Sequence, residues 1–177
     1  ILMLNKAIFF DRDGVLNKLV KRDGGYYSPL YFKNFQINDE AKSITNDLKK
    51  LNYLNIVISN QPEIARNRMK LSELEMMTEH LKKEIFIDDI FYCTHDDNSN
   101  CLCRKPKTGL FLDAQKKWNI DLQESFFVGD TWRDLDAGKK MDLKTIILEN
   151  NCNYDLKCDI KIKKLNDLLS IIQNEFH

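Results

Sequence analysis

Ala7-Ile8-Phe9-Phe10-Asp11-Arg12-Asp13-Gly14-Val15-Leu16-Asn17 begins as an apolar run and ends in two carboxylates separated by a single residue. An unbroken apolar run reads as a strand buried on both faces, the central type of a parallel sheet. Asp11 and Asp13 then stand at its carboxyl end, where open α/β sheets hold their ligands. Two acids this close repel unless a cation or a proton lies between them. Oxygen-only ligands favour Mg²⁺. Asp and Gly after a strand also make ordinary turns, so from this stretch alone a turn and a site remain equally open.

The length of 177 residues suits one domain with a sizeable core. Lys and Arg together number 27 and Asp and Glu 27, for a formal charge of zero. That balance supplies no global field for nucleic acid or an anionic membrane, so phosphate-binding power must be local. No membrane span and no export signal is legible, and a cytoplasmic monomer is expected. Ile1-Leu2-Met3 reads as a remnant ahead of a start at Met3.

Residues 18–37 are polar and aromatic, with Gly24-Gly25 and Pro29 against a helix. A loop of this length leaving the acidic pair could fold over it and offer Asp23 or Tyr26, or it could be a surface excursion. A helix is expected from Glu40 to Leu51, capped by Asn38 or Asp39. The strand Tyr53–Gln61 delivers Ser59 at its end, as a phosphate ligand or a turn residue. The next helix should start at Ser72, paired with Glu75, and bury Leu71, Leu74, Met77, Leu81 and Ile85. Further strands are expected at Asp88–Tyr92, Ser125–Val128, Lys144–Leu148 and Asp159–Ile162. Helices are expected at Leu110–Trp118, after Thr131, and along Leu165, Leu168, Leu169 and Ile172. Strands alternating with helices predict a doubly wound parallel sheet. Asp11, Asp13, Ser59, Lys105 and Asp130 all then fall in loops at the strands' carboxyl ends.

Five cysteines, three of them within residues 93–103, do not make a disulfide framework. Cys93-x-His95 and Cys101-x-Cys103 flank five polar residues. Three thiolates and an imidazole form a closed tetrahedral set, which indicates structural Zn²⁺ with no open position. Cys152 and Cys158 have no ligand-type neighbours. The cationic run Arg104-Lys105-Pro106-Lys107 follows directly, and it is either solvated or put in place by the metal loop. These parts suit phosphoryl transfer: a cation and a lysine neutralise phosphate, one Asp attacks phosphorus, and another moves the proton.

Asp11-Arg12-Asp13-Gly14-Val15-Leu16-Asn17 resembles the first motif of the haloacid dehalogenase-like phosphatases. Ser59 resembles the second, Lys105 the third, and Gly129-Asp130 with Asp134 the fourth. By that resemblance Asp11 is the nucleophile and Asp13 the general acid/base. Asp11, the Asp13 carbonyl and Asp130 hold Mg²⁺. Ser59-Asn60-Gln61, Ile64-Ala65-Arg66 and the Cys/His string fused to Arg104-Lys105-Pro106 look like the subgroup of heptose-bisphosphate and histidinol-phosphate phosphatases. The likeness covers about residues 6–150. It implies substrate contacts from Ser59, Asn60, Gln61, Arg104, Asp23, Gly25 and Tyr26, and a capless, open site.

Pro62, Glu63 and Asn67 depart from the subgroup's pattern, and Glu63 brings a negative charge beside an anion site. The expected activity is Mg²⁺-dependent hydrolysis of a sugar phosphate, the 7-phosphate of a heptose 1,7-bisphosphate used in surface polysaccharide synthesis. Histidinol phosphate is the alternative within the same chemistry. A nucleic-acid 3′-phosphatase and a non-catalytic zinc module are the readings from other classes.

Overall fold

A computed structural model describes residues 4–153 and 155–174, so the remnant read at residues 1–3 lies outside the described residues. β1 (Lys6–Phe10) has Ala7, Ile8, Phe9 and Phe10 fully buried, as its composition requires. Ile8 and Phe10 enter one apolar cluster, and Ala7 and Phe9 enter the other. This is the two-residue period of a strand with helices on both faces.

The flanking strands repeat the arrangement. β4 (Tyr53–Asn60), β5 (Asp89–Cys93), β6 (Phe126–Gly129), β7 (Lys144–Leu148) and β8 (Ile160–Ile162) complete a six-stranded sheet in the order β5-β4-β1-β6-β7-β8. Every neighbouring pair is parallel. The chain runs outward from β1 through β4 to β5, crosses back to β6, and runs outward the other way. β1 and β6 are therefore the adjacent pair at which the winding reverses, and the strand ends part there to leave a crevice.

The helices are α1 (Ala41–Lys50), α2 (Leu71–Glu84), α3 (Gly109–Trp118), α4 (Trp132–Lys140) and α5 (Leu168–Asn174). Buried residues of α1, α2 and α5 join the Ile8–Phe10 cluster, and those of α3 and α4 join the Phe9 cluster. The doubly wound parallel sheet is thus the observed fold, and among the described residues no large cap domain is inserted.

Three local expectations need correcting. The α2 cap position is Lys70, with no side-chain cap, so Ser72 lies inside the helix. Leu71 is 56% exposed, because the buried face runs through Leu74, Met77 and Leu81. α1 takes Glu40 at its cap position, and the Asn38 side chain accepts from the Glu40 N–H at 3.1 Å. Finally, residues 18–37 contain an antiparallel hairpin, β2 (Val20–Arg22) with β3 (Gly25–Tyr27). Asp23 and Gly24 form its two-residue turn with φ of 49° and 79°, the left-handed pair that Asp-Gly adopts readily.

Candidate active site

Asp11 leaves β1 and Asp130 leaves β6, so the reversal of the winding puts both carboxylates at one crevice. Asp11, Asp130 and Asp134 each offer an oxygen within 4.8 Å of the others. Asp11 Oδ1 accepts from the Lys105 ammonium at 2.9 Å and from the Arg12 N–H at 2.8 Å. Lys105 is 2% exposed and also meets Asp134 at 2.6 Å. The other Asp134 oxygen accepts from the backbone N–H groups of Asp130 and Thr131 and from the Thr131 hydroxyl. Asp134 therefore braces the loop that carries Asp130.

Two glycines let these groups approach. A Cβ on Gly14, at φ +87°, would lie 2.1 Å from Asp130 Oδ2, and one on Gly129 would lie 2.3 Å from Asp134 Cβ.

Burial pushes the Asp11 carboxyl up to about 7, with Lys105 opposing and Asp134 and Asp13 adding to the rise. Burial likewise lifts Asp130 well above the ordinary carboxylate range, reinforced by Asp11 and Asp134 and opposed by Lys105. Burial alone would depress Lys105, but Asp11 and Asp134 reverse the sign and its pKa is raised. Asp130 Oδ1 is buried without a hydrogen-bond partner. Three buried carboxylates, one ammonium and an unpartnered oxygen form a hard-oxygen site that a divalent cation fits.

The Asp13 carboxylate faces other partners. Arg12 Nε and Nη2 donate to it at 2.9–3.1 Å, Asn17 Nδ2 at 3.0 Å and Gln61 Nε2 at 2.7 Å. The three carboxylates grouped close enough to share an ion are thus those of residues 11, 130 and 134, with the Asp13 side chain beside them. Ser59 is buried and accepts from Gln61 Nε2 at 3.0 Å. Asn60 makes a reciprocal pair with the backbone of Lys105, at 2.9 and 3.0 Å, and so positions the lysine.

A cavity of about 710 Å³ opens over Asp11, Asp13, Asn60, Lys105 and Asp130. Tyr26 and Arg104 also line it, whereas Asp23, in the hairpin turn, and Gly25, the first residue of β3, lie outside the lining.

Two of the three departures, Glu63 and Asn67, find local reasons. Glu63 accepts from Arg66 at 2.8 Å and from Arg68 at 3.3 Å, so its charge is spent on those cations. Asn67 adopts φ 57°, a left-handed conformation that Asn tolerates better than most residues with a side chain.

Sequence reasoning missed Asn150, whose amide donates to Asp130 Oδ2 at 2.8 Å, and Asn153, which donates to the Asp130 carbonyl at 2.6 Å. Their position just past β7, at another carboxyl end, was the available signal.

Cys93, His95, Cys101 and Cys103 each offer a donor atom within 4.8 Å of the others. Cys103 Sγ lies 3.2 Å from both Cys93 Sγ and His95 Nδ1, so the four donors are close enough to share one ion. Burial pushes the Cys93 thiol up to about 12, so a metal would have to displace that proton on binding.

The chain belongs to the haloacid dehalogenase-like phosphatases, with an acid after β1, an acid after β6 and a lysine between them. A crystal structure from Mesorhizobium loti described as a HAD-like phosphatase, 25% identical, superposes with a TM-score of 0.78 over 97% of this chain and 87% of that one. A family profile described as polynucleotide kinase 3 phosphatase matches residues 6–161. Within that class the chain belongs with the D-glycero-D-manno-heptose-1,7-bisphosphate 7-phosphatases, which makes it a phosphoric monoester hydrolase.

It is 33% identical to the β-heptose enzyme of Helicobacter pylori over 176 residues, covering 96% of this chain and 98% of that one. It is also 33% identical to the α-heptose enzyme of Campylobacter jejuni over 178 residues, covering 98% and 99%. The crystal structure of D,D-heptose 1,7-bisphosphate phosphatase from B. bronchiseptica, complexed with magnesium and phosphate, superposes with a TM-score of 0.81. That match is at 22% identity and covers 96% of this chain and 99% of that one. Among the described residues no helix is long and apolar enough to cross a membrane.

Proposed function

We propose that this chain hydrolyses the 7-phosphate of D-glycero-D-manno-heptose 1,7-bisphosphate in the cytoplasm, as a monomer, on the route to a surface polysaccharide. One observation carries the chemistry: Asp11, Asp130 and Lys105 meet at the β1/β6 crevice, on the wall of a cavity of about 710 Å³. The relatives' shared name supports the heptose bisphosphate over histidinol phosphate.

Asp11 Oδ1 is held by Lys105 and the Arg12 N–H, which orients the carboxylate for attack on phosphorus. Attack forms an aspartyl-phosphate and breaks the phosphorus–oxygen bond to the sugar. Asp13 gives a proton to the departing sugar oxygen. It then takes one from the water that releases phosphate and restores Asp11. In the described conformation Asp13 is clamped by Arg12, Asn17 and Gln61, so proton transfer requires that clamp to loosen. Lys105 and the Ser59 hydroxyl offset charge on the phosphoryl oxygens, and Arg104 contacts the substrate from the cavity wall.

Mg²⁺ at Asp11, the Asp13 carbonyl and Asp130 would supply charge neutralisation. Zn²⁺ at Cys93, His95, Cys101 and Cys103 would hold the loop that ends at Arg104 and Lys105. Zero formal charge supports a small substrate over nucleic acid.

The test is steady-state phosphate release from the α- and β-heptose 1,7-bisphosphates and from histidinol phosphate, side by side, with Asp11→Asn as control. One bisphosphate anomer should give the highest kcat/KM, and Asp11→Asn should be inactive though folded. A preference for histidinol phosphate, or near wild-type turnover by the variant, would overturn the reading.

A further inference from the structure

Two arginines share the cavity wall with the catalytic groups, and neither is free. Arg66 and Arg104 line the same cavity as Asp11 and Lys105, and so does Asp97. Asp97 lies between the two Cys/His pairs. One of its oxygens takes Arg104 Nε and Nη2, each at 2.9 Å, and the other takes Arg66 Nη2 at 2.6 Å. Arg66 is bonded further to Asp96 at 2.6 Å and to Glu63 at 2.8 Å.

Counting charges, Arg66, Arg68 and Arg104 face Glu63, Asp96 and Asp97, so the cluster is formally neutral. An incoming anion would find no net attraction there while all three acids stay in place. The acids differ in how firmly they are held. The Glu63 side chain is 16% exposed and bridges Arg66 and Arg68 on its own segment, whereas the Asp97 side chain is 54% exposed. Arg104 is only 11% exposed and keeps a buried Nη1 without a partner. The arginine is fixed and under-satisfied, and the carboxylate across from it is the part with room to leave.

We propose that Asp97 is an intramolecular competitor that occupies the arginine pair until a second anionic group of the substrate displaces it. The inference rests on the phosphatase reading, with the distal phosphate as that second group. A tetrahedral phosphate dianion offers more acceptor oxygens than one carboxylate and matches guanidinium forks well. A bisphosphate can therefore drive the exchange, whereas a substrate with one phosphate leaves Asp97 in place. Asp97 thereby lowers the affinity for every distal anion and sharpens the demand for one that is doubly charged.

The test uses inhibition of p-nitrophenyl phosphate hydrolysis, so it does not depend on which sugar is natural. Fructose 1,6-bisphosphate and fructose 6-phosphate are compared as inhibitors of wild type, Asp97→Asn and Asp97→Glu. Freeing an ion pair of this exposure is worth on the order of fivefold. The ratio of monophosphate to bisphosphate Ki should therefore rise about that much in Asp97→Asn, while Asp97→Glu stays near wild type. An unchanged or lower ratio in Asp97→Asn, or a matching rise in Asp97→Glu, would overturn the proposal, since a carboxylate that merely orients the arginines predicts weaker bisphosphate binding on removal. A ratio unmoved by Asp97→Asn but collapsed by Lys157→Ala would overturn it as well, and would place the distal anion at Lys157, which lines the same cavity. Failure of wild type to prefer a heptose bisphosphate in turnover would count against the substrate assignment alone.

Discussion

Replacing Lys105 by Met keeps most of the side-chain volume and removes the ammonium, which leaves the Asp11 and Asp134 carboxylates facing each other. Both ion pairs are short, 2.9 and 2.6 Å, and the lysine is 2% exposed. Breaking a buried pair by deleting one partner costs about 3–5 kcal/mol, mostly as the penalty on the charge left behind. For a chain of this size each kcal/mol moves Tm by about 2–4 °C, so the expected drop is on the order of 10 °C at pH 8 without added Mg²⁺.

The pH dependence has a definite sign. The folded wild-type chain holds a proton on Asp11 up to about 7, against 3.8 for an ordinary aspartate. Between those values the folded state binds more protons than the unfolded state, so this group's contribution to stability declines as pH rises through the window. Lys105 opposes that rise, so its loss pushes the Asp11 pKa further up and extends the decline to higher pH. The gap between variant and wild type should be smallest near pH 4–5 and widest above 7. Thermal unfolding followed by circular dichroism across that range measures it directly. A variant within 2 °C of wild type at pH 8, or a gap that does not depend on pH, would show that Lys105 does not neutralise the acids.

Two further outcomes follow from the same site. Gly14→Ala should cut kcat by about 10²-fold or more, because the new Cβ claims the space of Asp130 Oδ2 and a misplaced group near the chemistry is costly. Its strained φ should also cost about 1–2 kcal/mol of stability, and Mg²⁺ titration of activity should show the weakened cation site. Apparent Mg²⁺ affinity, read from the Mg²⁺-induced Tm rise, should climb with pH through about 7, where Asp11 sheds a proton that competes with the cation, and the raised Asp130 should add to the climb. A flat profile would remove Asp11 from the cation site.

Much of this was legible in the residue pattern because it is local. Four-residue apolar runs ending in acids can hardly be anything but central strands, and Phe9 and Phe10 pack on opposite faces of β1 as the strand period demands. The Asp23-Gly24 hairpin was not legible: its turn residues carried the signal, but the short strands Val20–Arg22 and Gly25–Tyr27 lack a clear apolar alternation, so the segment reads as a loop. The helix start at Leu71 was misplaced because a serine followed by glutamate imitates a capping box while the apolar face sits elsewhere. The alarm over Glu63 had a different origin: charge in a sequence shows no partner until the fold supplies Arg66 and Arg68.

From the chain of letters alone come the strand and helix alternation, the acids waiting at strand ends, and the Cys/His set, since each depends on neighbours a few positions apart. Tertiary structure decided the rest. Strand order put β1 beside β6, which brought residues 11 and 130 within reach of one ion. It turned the Asp13 carboxylate toward Arg12 and Gln61, assigned Asn150 to Asp130, and set Asp97 against two arginines. Most of those pairings, such as Asp13 with Gln61 and Asn150 with Asp130, join positions distant in the chain, and only the packing of a closed core determines which distant groups share a buried space.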